Sequence, residues 1–196
     1  AVTCAQIEVQ RYGVATTMLL GPSESLILAD DSADPMLLAA DLLNEAEHGP
    51  DSSSVLVTTS AELLAATQAE VARQLLLLPE TRRAYAASSL GVNGGVVMAR
   101  SIEAATDVAN AYAPEHMQIA VRDEDYVLSR LFDAAEILVG QMTTVSAANF
   151  VIGCPASLPT SGFAKVSSGV TADTFRKRAA VAKADRRALE RMSGTV

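Results

Sequence analysis

Short apolar runs alternate with longer segments of helical period along most of this 196-residue chain, and that alternation is the pattern of an α/β fold. Ser25–Asp30 (SLILAD), Ser54–Thr59 (SVLVTT), Gly95–Ala99, Met117–Val121 and Glu136–Gly140 read as strands. Helices are expected between them at Pro35–His48, from Ser60 to about Leu78, and at Glu80–Ser89, Ser101–Tyr112 and Asp123–Phe132. Asp34 followed by Pro35 is an N-cap with proline at the first helical position, where its missing N–H costs nothing. Strands separated by helices predict a mostly parallel sheet covered on both faces.

The pattern changes after Gly140. QMTTVSAANFVIGCPASLPTSGFAKVSSGVT is rich in Ser, Thr, Gly and Pro and has no sustained period. Its apolar residues Phe150, Val151, Ile152, Leu158 and Phe163 favour an ordered, irregular loop region over a linker. From Thr171 the chain is expected to turn helical again, with Phe175–Met192 (FRKRAAVAKADRRALERM) a basic, alanine-rich surface helix.

Composition excludes several functions. Fifteen Lys and Arg against 23 Asp and Glu give a formal charge of −8, the wrong sign for neutralising phosphates, so no nucleic-acid partner is expected. With no Trp, four Tyr and four Phe, stacking platforms for single strands are scarce. Hydrophobic residues make up 49%, enough for a sizeable core of one domain or slightly more. No apolar run approaches the ~20 residues a bilayer needs, so no membrane partner is expected. Two cysteines, Cys4 and Cys154, form no disulfide framework and predict reduced thiols in a cytoplasmic setting. AVTCAQIEVQRYG lacks the basic and apolar regions of a signal peptide and reads as the end of a helix entered in mid-course.

Chemistry concentrates around the only two histidines. Glu45 and His48 stand three apart near a helix end, so both side chains emerge on one face. Such a pair can share a metal ion or a proton, or can be a local surface ion pair at a helix C-terminus. Glu115 and His116 follow Pro114, which is expected to push Ala113 into an extended conformation and to leave the pair in the turn before a strand. An adjacent carboxylate and imidazole there suit proton transfer, and equally suit two ordinary polar loop residues. Gly21-Pro22-Ser23-Glu24 is a tight turn ahead of a strand. Gly91–Gly95 (GVNGG) is no dinucleotide fingerprint, because its spacing is wrong and a strand follows it.

GPSESLILAD, DLLNEAEHGPDS, NAYAPEH and LPTSGFAKVSSG, in this order and spacing, resemble the histidinol dehydrogenase family, and the resemblance runs through nearly the whole chain. It implies oxidation of L-histidinol through the aldehyde to L-histidine, with zinc and NAD as cofactors, a small amino alcohol as substrate and a homodimer as the assembly. It also implies that the chain corresponds to the central to C-terminal portion of a family member. Residues 1–170 would be an incomplete Rossmann-like α/β domain, and residues 171–196 a C-terminal helix leading toward a missing dimer-contacting tail.

Carried over residue by residue, the family's substrate-contacting serine falls on Ser23. Its water-activating glutamate falls on Glu115, and its general base on His116. Its zinc-ligating Gln and His fall on Glu45 and His48, and its zinc-ligating Asp on Asn149, so a carboxylate and an amide have exchanged places and the ligand charge is preserved. These groups, His116 included, would also hold the substrate. No residues for NAD are assigned. Ala156 stands where the family has a substrate-contacting His, which implies a paralogous enzyme acting on another polar alcohol as the alternative. A non-catalytic module that keeps only the fold is the reading from a different class.

Overall fold

The computed structural model describes residues 2–195. Its strands are β1 (Glu24–Ala29), β2 (Ser53–Thr58), β3 (Gly95–Met98), β4 (His116–Ala120) and β5 (Glu136–Val139). They form a single all-parallel sheet in the order β3-β2-β1-β4-β5. Its helices are α1 (Val2–Gln10), α2 (Pro35–Ala46), α3 (Ala61–Leu75), α4 (Glu80–Ser88), α5 (Ile102–Tyr112), α6 (Glu124–Leu128), the single turn α7 (Val145–Ala147) and α8 (Arg186–Met192). Among the described residues no helix is long and apolar enough to cross a membrane.

Alternation along each strand divides the core between the two faces of the sheet. Leu26, Leu28, Val55, Val57, Met117 and Ile119 pack under Ala105 and Ala109 of α5 and Val127 of α6. Ile27, Ala29, Leu56 and Ala120 face the other way, against Leu38 and Leu42 of α2 and Leu63 of α3. Because both faces are covered, the central strands carry apolar residues on both sides, with polar residues kept to their ends and to Gln118. Each such Leu or Ile contributes roughly 1.5–3 kcal/mol on burial.

Local signals place the helices as expected. Asp34 accepts from the Met36 N–H at 2.8 Å, Ser60 from Leu63 at 3.1 Å and Ser101 from Ala104 at 3.2 Å, so α2, α3 and α5 each start on a capped residue. A buried bond from Gln118 Nε2 on β4 to Asp41 Oδ2 on α2, 2.8 Å long, fixes that helix against the sheet. Burial raises the Asp41 pKa, and the Gln118 bond only partly opposes the shift.

Three local expectations fail. The helix expected over Phe175–Met192 exists only as α8, Arg186–Met192, preceded by a 3-10 turn at Ala172–Phe175 and irregular chain. Val181 is 92% exposed, so the segment has no apolar face to dock, and propensity alone does not sustain a helix of this length. The helix expected to reach Phe132 stops at Leu128, because Asn110 Oδ1 accepts the N–H groups of Phe132 and Asp133 and turns the chain. Ala113 is not extended. It adopts φ 54° and ψ 64°, a left-handed cap whose N–H bonds the Ala109 carbonyl at 2.8 Å.

Candidate active site

In a parallel sheet every strand starts at the same edge, and the register decides which first residues are neighbours. Here Ser25 lies beside His116, and His116 beside Glu136. A helix crossing over from one parallel strand to the next runs back to that edge, so α2 returns Glu45 and His48 to it. Ser23 lies there too, directly ahead of β1. The left-handed cap at Ala113 ends α5 within one residue, so Glu115 falls in the bend directly ahead of β4 and His116 enters the sheet. That conformation costs an alanine roughly 1–2 kcal/mol, a strain of the kind stored at functional sites.

Glu115 therefore lies in the expected turn, whereas His116 has moved one residue into the strand. His116 is the first residue of β4, and both side chains are buried. His116 Nδ1 is 2.6 Å from Glu136 Oε2, and Nε2 is 3.9 Å from Glu115 Oε1. Glu115 Oε2 accepts the Glu24 N–H at 3.0 Å. Glu24 Oε1 in turn accepts the Ser161 N–H at 2.8 Å, which fastens the Leu158–Gly162 loop to the same edge. Gly21 leaves room for this loop, since a Cβ at that position would come within 2.7 Å of Thr160 Oγ1 and displace that side chain.

Glu45 is 1% exposed, with Oε1 3.7 Å from His48 Nδ1 and Oε2 unpartnered. His48 Nδ1 also lies 2.9 Å from the Asn44 carbonyl, and its ring is half exposed. Glu45, Glu115 and His116 each present a ligand atom within 4.8 Å of the others, an arrangement able to hold a metal ion. Asn149 sits in a π-helical turn, Ala148–Ile152, with its Oδ1 buried and unpartnered. A 2.9 Å bond between Ser146 and Asn44 ties this segment to α2. Thus Ser23, Glu45, Glu115 and His116 gather at one edge, His48 stands at its solvent margin, and Asn149 lies on the segment that Ser146 ties to α2. Ala156, exposed on the loop, offers only a methyl group.

The electrostatics follow from packing carboxylates around one imidazole. Burial pushes the Glu115 pKa up to about 7, helped by the Glu45 and Glu24 carboxylates and opposed by the Glu24 N–H and His116. Burial also raises Glu45, against the pull of His116, His48 and the Ser23 hydroxyl. Burial alone would lower His116, but the Glu136 hydrogen bond and the carboxylates of Glu45 and Glu115 outweigh it, so the imidazole is held above its usual value. A carboxyl poised near neutrality beside an imidazole held above its ordinary value can pass protons to and from a bound hydroxyl or water.

Glu24 and Glu136 complete this network, and sequence reasoning missed both. The signal for Glu136 was present: a charged residue heads an otherwise apolar strand, and strands that start level place their first residues side by side.

The family model for histidinol dehydrogenase matches residues 1–196. The histidinol dehydrogenase of Synechocystis sp. is 42% identical over 181 residues, covering 87% of this chain and 42% of that protein. A Mesorhizobium japonicum protein named histidinol dehydrogenase homolog 2 is 42% identical over 169 residues, covering 86% of this chain and 38% of its own length. The crystal structure of histidinol dehydrogenase from Elizabethkingia anophelis matches 99% of this chain and 44% of its own, with a TM-score of 0.93 and 35% identity. The chain thus spans about two fifths of the length of the relatives it matches.

Proposed function

The chain belongs to the histidinol dehydrogenase family, and we propose that it supplies the proton-transfer and metal-holding part of a zinc- and NAD-dependent oxidation of L-histidinol, through the aldehyde, to L-histidine. The observation that supports this reading is the buried Glu115–His116 pair with the Glu45 carboxylate alongside.

The residues fit a zinc ion. Glu45 Oε2 and Asn149 Oδ1 are buried oxygens without partners, and His48 keeps Nε2 for a ligand bond while Nδ1 engages Asn44. Glu45, His48 and Asn149 would hold the metal, which when bound supplies Lewis acidity and a fixed point for the substrate's polar groups. His116 would take the hydroxyl proton of the alcohol, while NAD, bound outside this chain, would supply the two-electron oxidation. Glu115 activates the water that hydrates the aldehyde, and His116 serves again as base when the hydrate is oxidised. Ser23 positions the amino alcohol beside them.

The described residues do not fit NAD. A dinucleotide cradle needs several glycines in a strand-to-helix turn; residues 30–34, 59–60, 99–101 and 121–123 contain none, and residues 140–144 contain only Gly140, ahead of the three-residue α7. The first of these turns instead carries Asp30, Asp31 and Asp34, which repel a pyrophosphate. We assign the dinucleotide site, and the last ligand of the metal, to parts of family members that this chain does not span. A cytoplasmic homodimer that completes its sites across subunits belongs to the same reading. It gives Phe150, Val151 and Ile152, which are 58–85% exposed, a covering surface.

The experiment is to graft the chain in place of the matching segment of the Synechocystis relative and to follow NADH at 340 nm. L-histidinol should be oxidised by the graft and not by the 196-residue chain alone. An inactive graft that retains normal zinc content would overturn the assignment of L-histidinol. Ala156 favours a second reading, in which the substrate is a polar alcohol without an imidazole; turnover of such an alcohol by the same graft, in preference to L-histidinol, would establish it. Because only His48 among the three proposed ligands is a nitrogen donor, the isolated chain should bind zinc weakly in calorimetry and lose that binding in His48→Ala.

A further inference from the structure

Nothing in the proposed reaction uses Glu136, yet it makes the shortest polar contact in the site. Its Oε2 lies 2.6 Å from His116 Nδ1, both residues are less than a tenth exposed, and the parallel register of β4 and β5 sets their backbones side by side. A carboxylate accepts at this site, so the nitrogen facing it must carry the proton. The other nitrogen, Nε2, is turned toward Glu115. The Glu136 N–H also donates to the Glu115 carbonyl at 3.0 Å, so the sheet ladder that holds the carboxylate holds the imidazole as well.

We propose that Glu136 is the positioning residue of the His116 base, holding the ring as the Nδ1–H tautomer and thereby making Nε2 the atom that removes the substrate's proton. This rests on the role given to His116 above and adds what that role needs: one defined tautomer and one ring orientation. An unanchored imidazole at this position could present either nitrogen, and a base that spends part of its time with Nε2 protonated is inactive for that fraction. The second oxygen, Glu136 Oε1, is buried and has no hydrogen-bond partner, so the carboxylate's strong interaction is the one made to His116. The half-buried Cys154 thiol lies near enough for Glu136 to help hold it in the neutral form, after the larger effect of its burial. A neutral thiol adds no competing charge.

The chain's two histidines make the test clean. In 15N-histidine-labelled protein, at a pH where the ring is neutral, His116 should show a protonated Nδ1, an unprotonated Nε2 and an Nδ1 proton shifted far downfield. Glu136→Gln, a neutral acceptor of the same shape, should move that proton upfield, and Glu136→Ala should leave a mixture of tautomers. In the grafted enzyme, Glu136→Gln should lower kcat about 10- to 100-fold with little change in KM, as is usual for an outer partner of a functional His. A wild-type His116 protonated at Nε2, or an Nδ1 proton that does not move in Glu136→Gln, would overturn the proposal even if the graft oxidises L-histidinol. The expected tautomer in an inactive graft would leave the dyad standing and remove the substrate instead. If Glu136→Ala fails to fold, the wild-type tautomer and the Gln variant decide the question.

Discussion

The two edges of the sheet differ more than the two faces do. At the amino edge, where the strands begin, Glu24, Glu45, Glu115, His116 and Glu136 crowd together with little access to water, and the three carboxyls of Glu24, Glu45 and Glu115 are all pushed above their usual values. At the carboxyl edge, the acidic groups serve the backbone. Asp30 accepts the N–H groups of Ser32 and Arg122, each at 2.9 Å, and these bonds outweigh its partial burial to hold its pKa below the usual carboxylate value. One edge stores desolvated charge and the other satisfies it. Open α/β sheets generally bind ligands outside the carboxyl ends of their strands, where the strand order reverses. Here that reversal falls between β1 and β4, and the reactive groups sit at the opposite end of the same two strands. Topology alone points to the carboxyl edge, whereas desolvated charge lies at the amino edge, where the proposed function puts the reaction.

The largest expected effect contrasts the edges directly. In the grafted enzyme, His116→Ala should cost ~100- to 10,000-fold in both oxidation steps, the usual loss for removing a general base. Asp30→Asn should change either rate by less than about threefold, because it alters only a turn. Comparable losses at both edges would erase the distinction.

A second effect separates the two members of the pair. Glu115→Gln should spare oxidation of the alcohol and depress the hydration-dependent step, so aldehyde accumulates. His116→Ala should slow both steps without that accumulation. Assays started from alcohol and from aldehyde distinguish the two; matching losses in both assays for both variants would mean that the pair acts only as a structural unit.

A smaller effect concerns pH, and the edges should carry opposite signs. Glu115 has a raised pKa, so its contribution to folding is complete below its ordinary value near 4.5 and is lost as pH rises through about 7. At alkaline pH the loss reaches about 3 kcal/mol at most. Glu115→Gln should therefore gain in stability relative to wild type between pH 5 and pH 8, by roughly 1–3 kcal/mol in urea denaturation. Asp30 has a lowered pKa, so its contribution is present above its ordinary value and disappears as the solution is acidified. Asp30→Asn should be destabilising near neutrality and neutral in acid. If both variants follow pH with the same sign, the contrast between desolvated and satisfied charge fails.

Much of this was legible in the residues. The alternation of apolar runs located all five strands to within a residue or two, since period and burial are local properties of a covered parallel sheet. The N-cap at Asp34, with Pro35 after it, announced α2 for the same reason. The basic segment after Phe175 misled, because alanine and arginine favour a helix only where a surface receives it, and no local signal says whether one does. For the site, scarcity of histidine singled out His48 and His116. Placing Glu115 and His116 in the turn before a strand said nothing of their burial, which depends on the level start of strands brought together by the fold. Glu136 was missed for the same reason: it and His116 are twenty residues apart and meet only through strand register.

Mapping zinc onto the isolated chain by 15N amide shifts tests directly whether the amino edge is the functional one, and weak binding in fast exchange is sufficient for it. Addition of zinc should shift the amides of Ser23, Glu45, His48, Glu115 and His116 along one saturating curve, while Asp30–Asp34 and Arg122–Tyr126 stay unmoved. Saturable shifts confined to those carboxyl-edge turns, with the amino edge silent, would contradict the account.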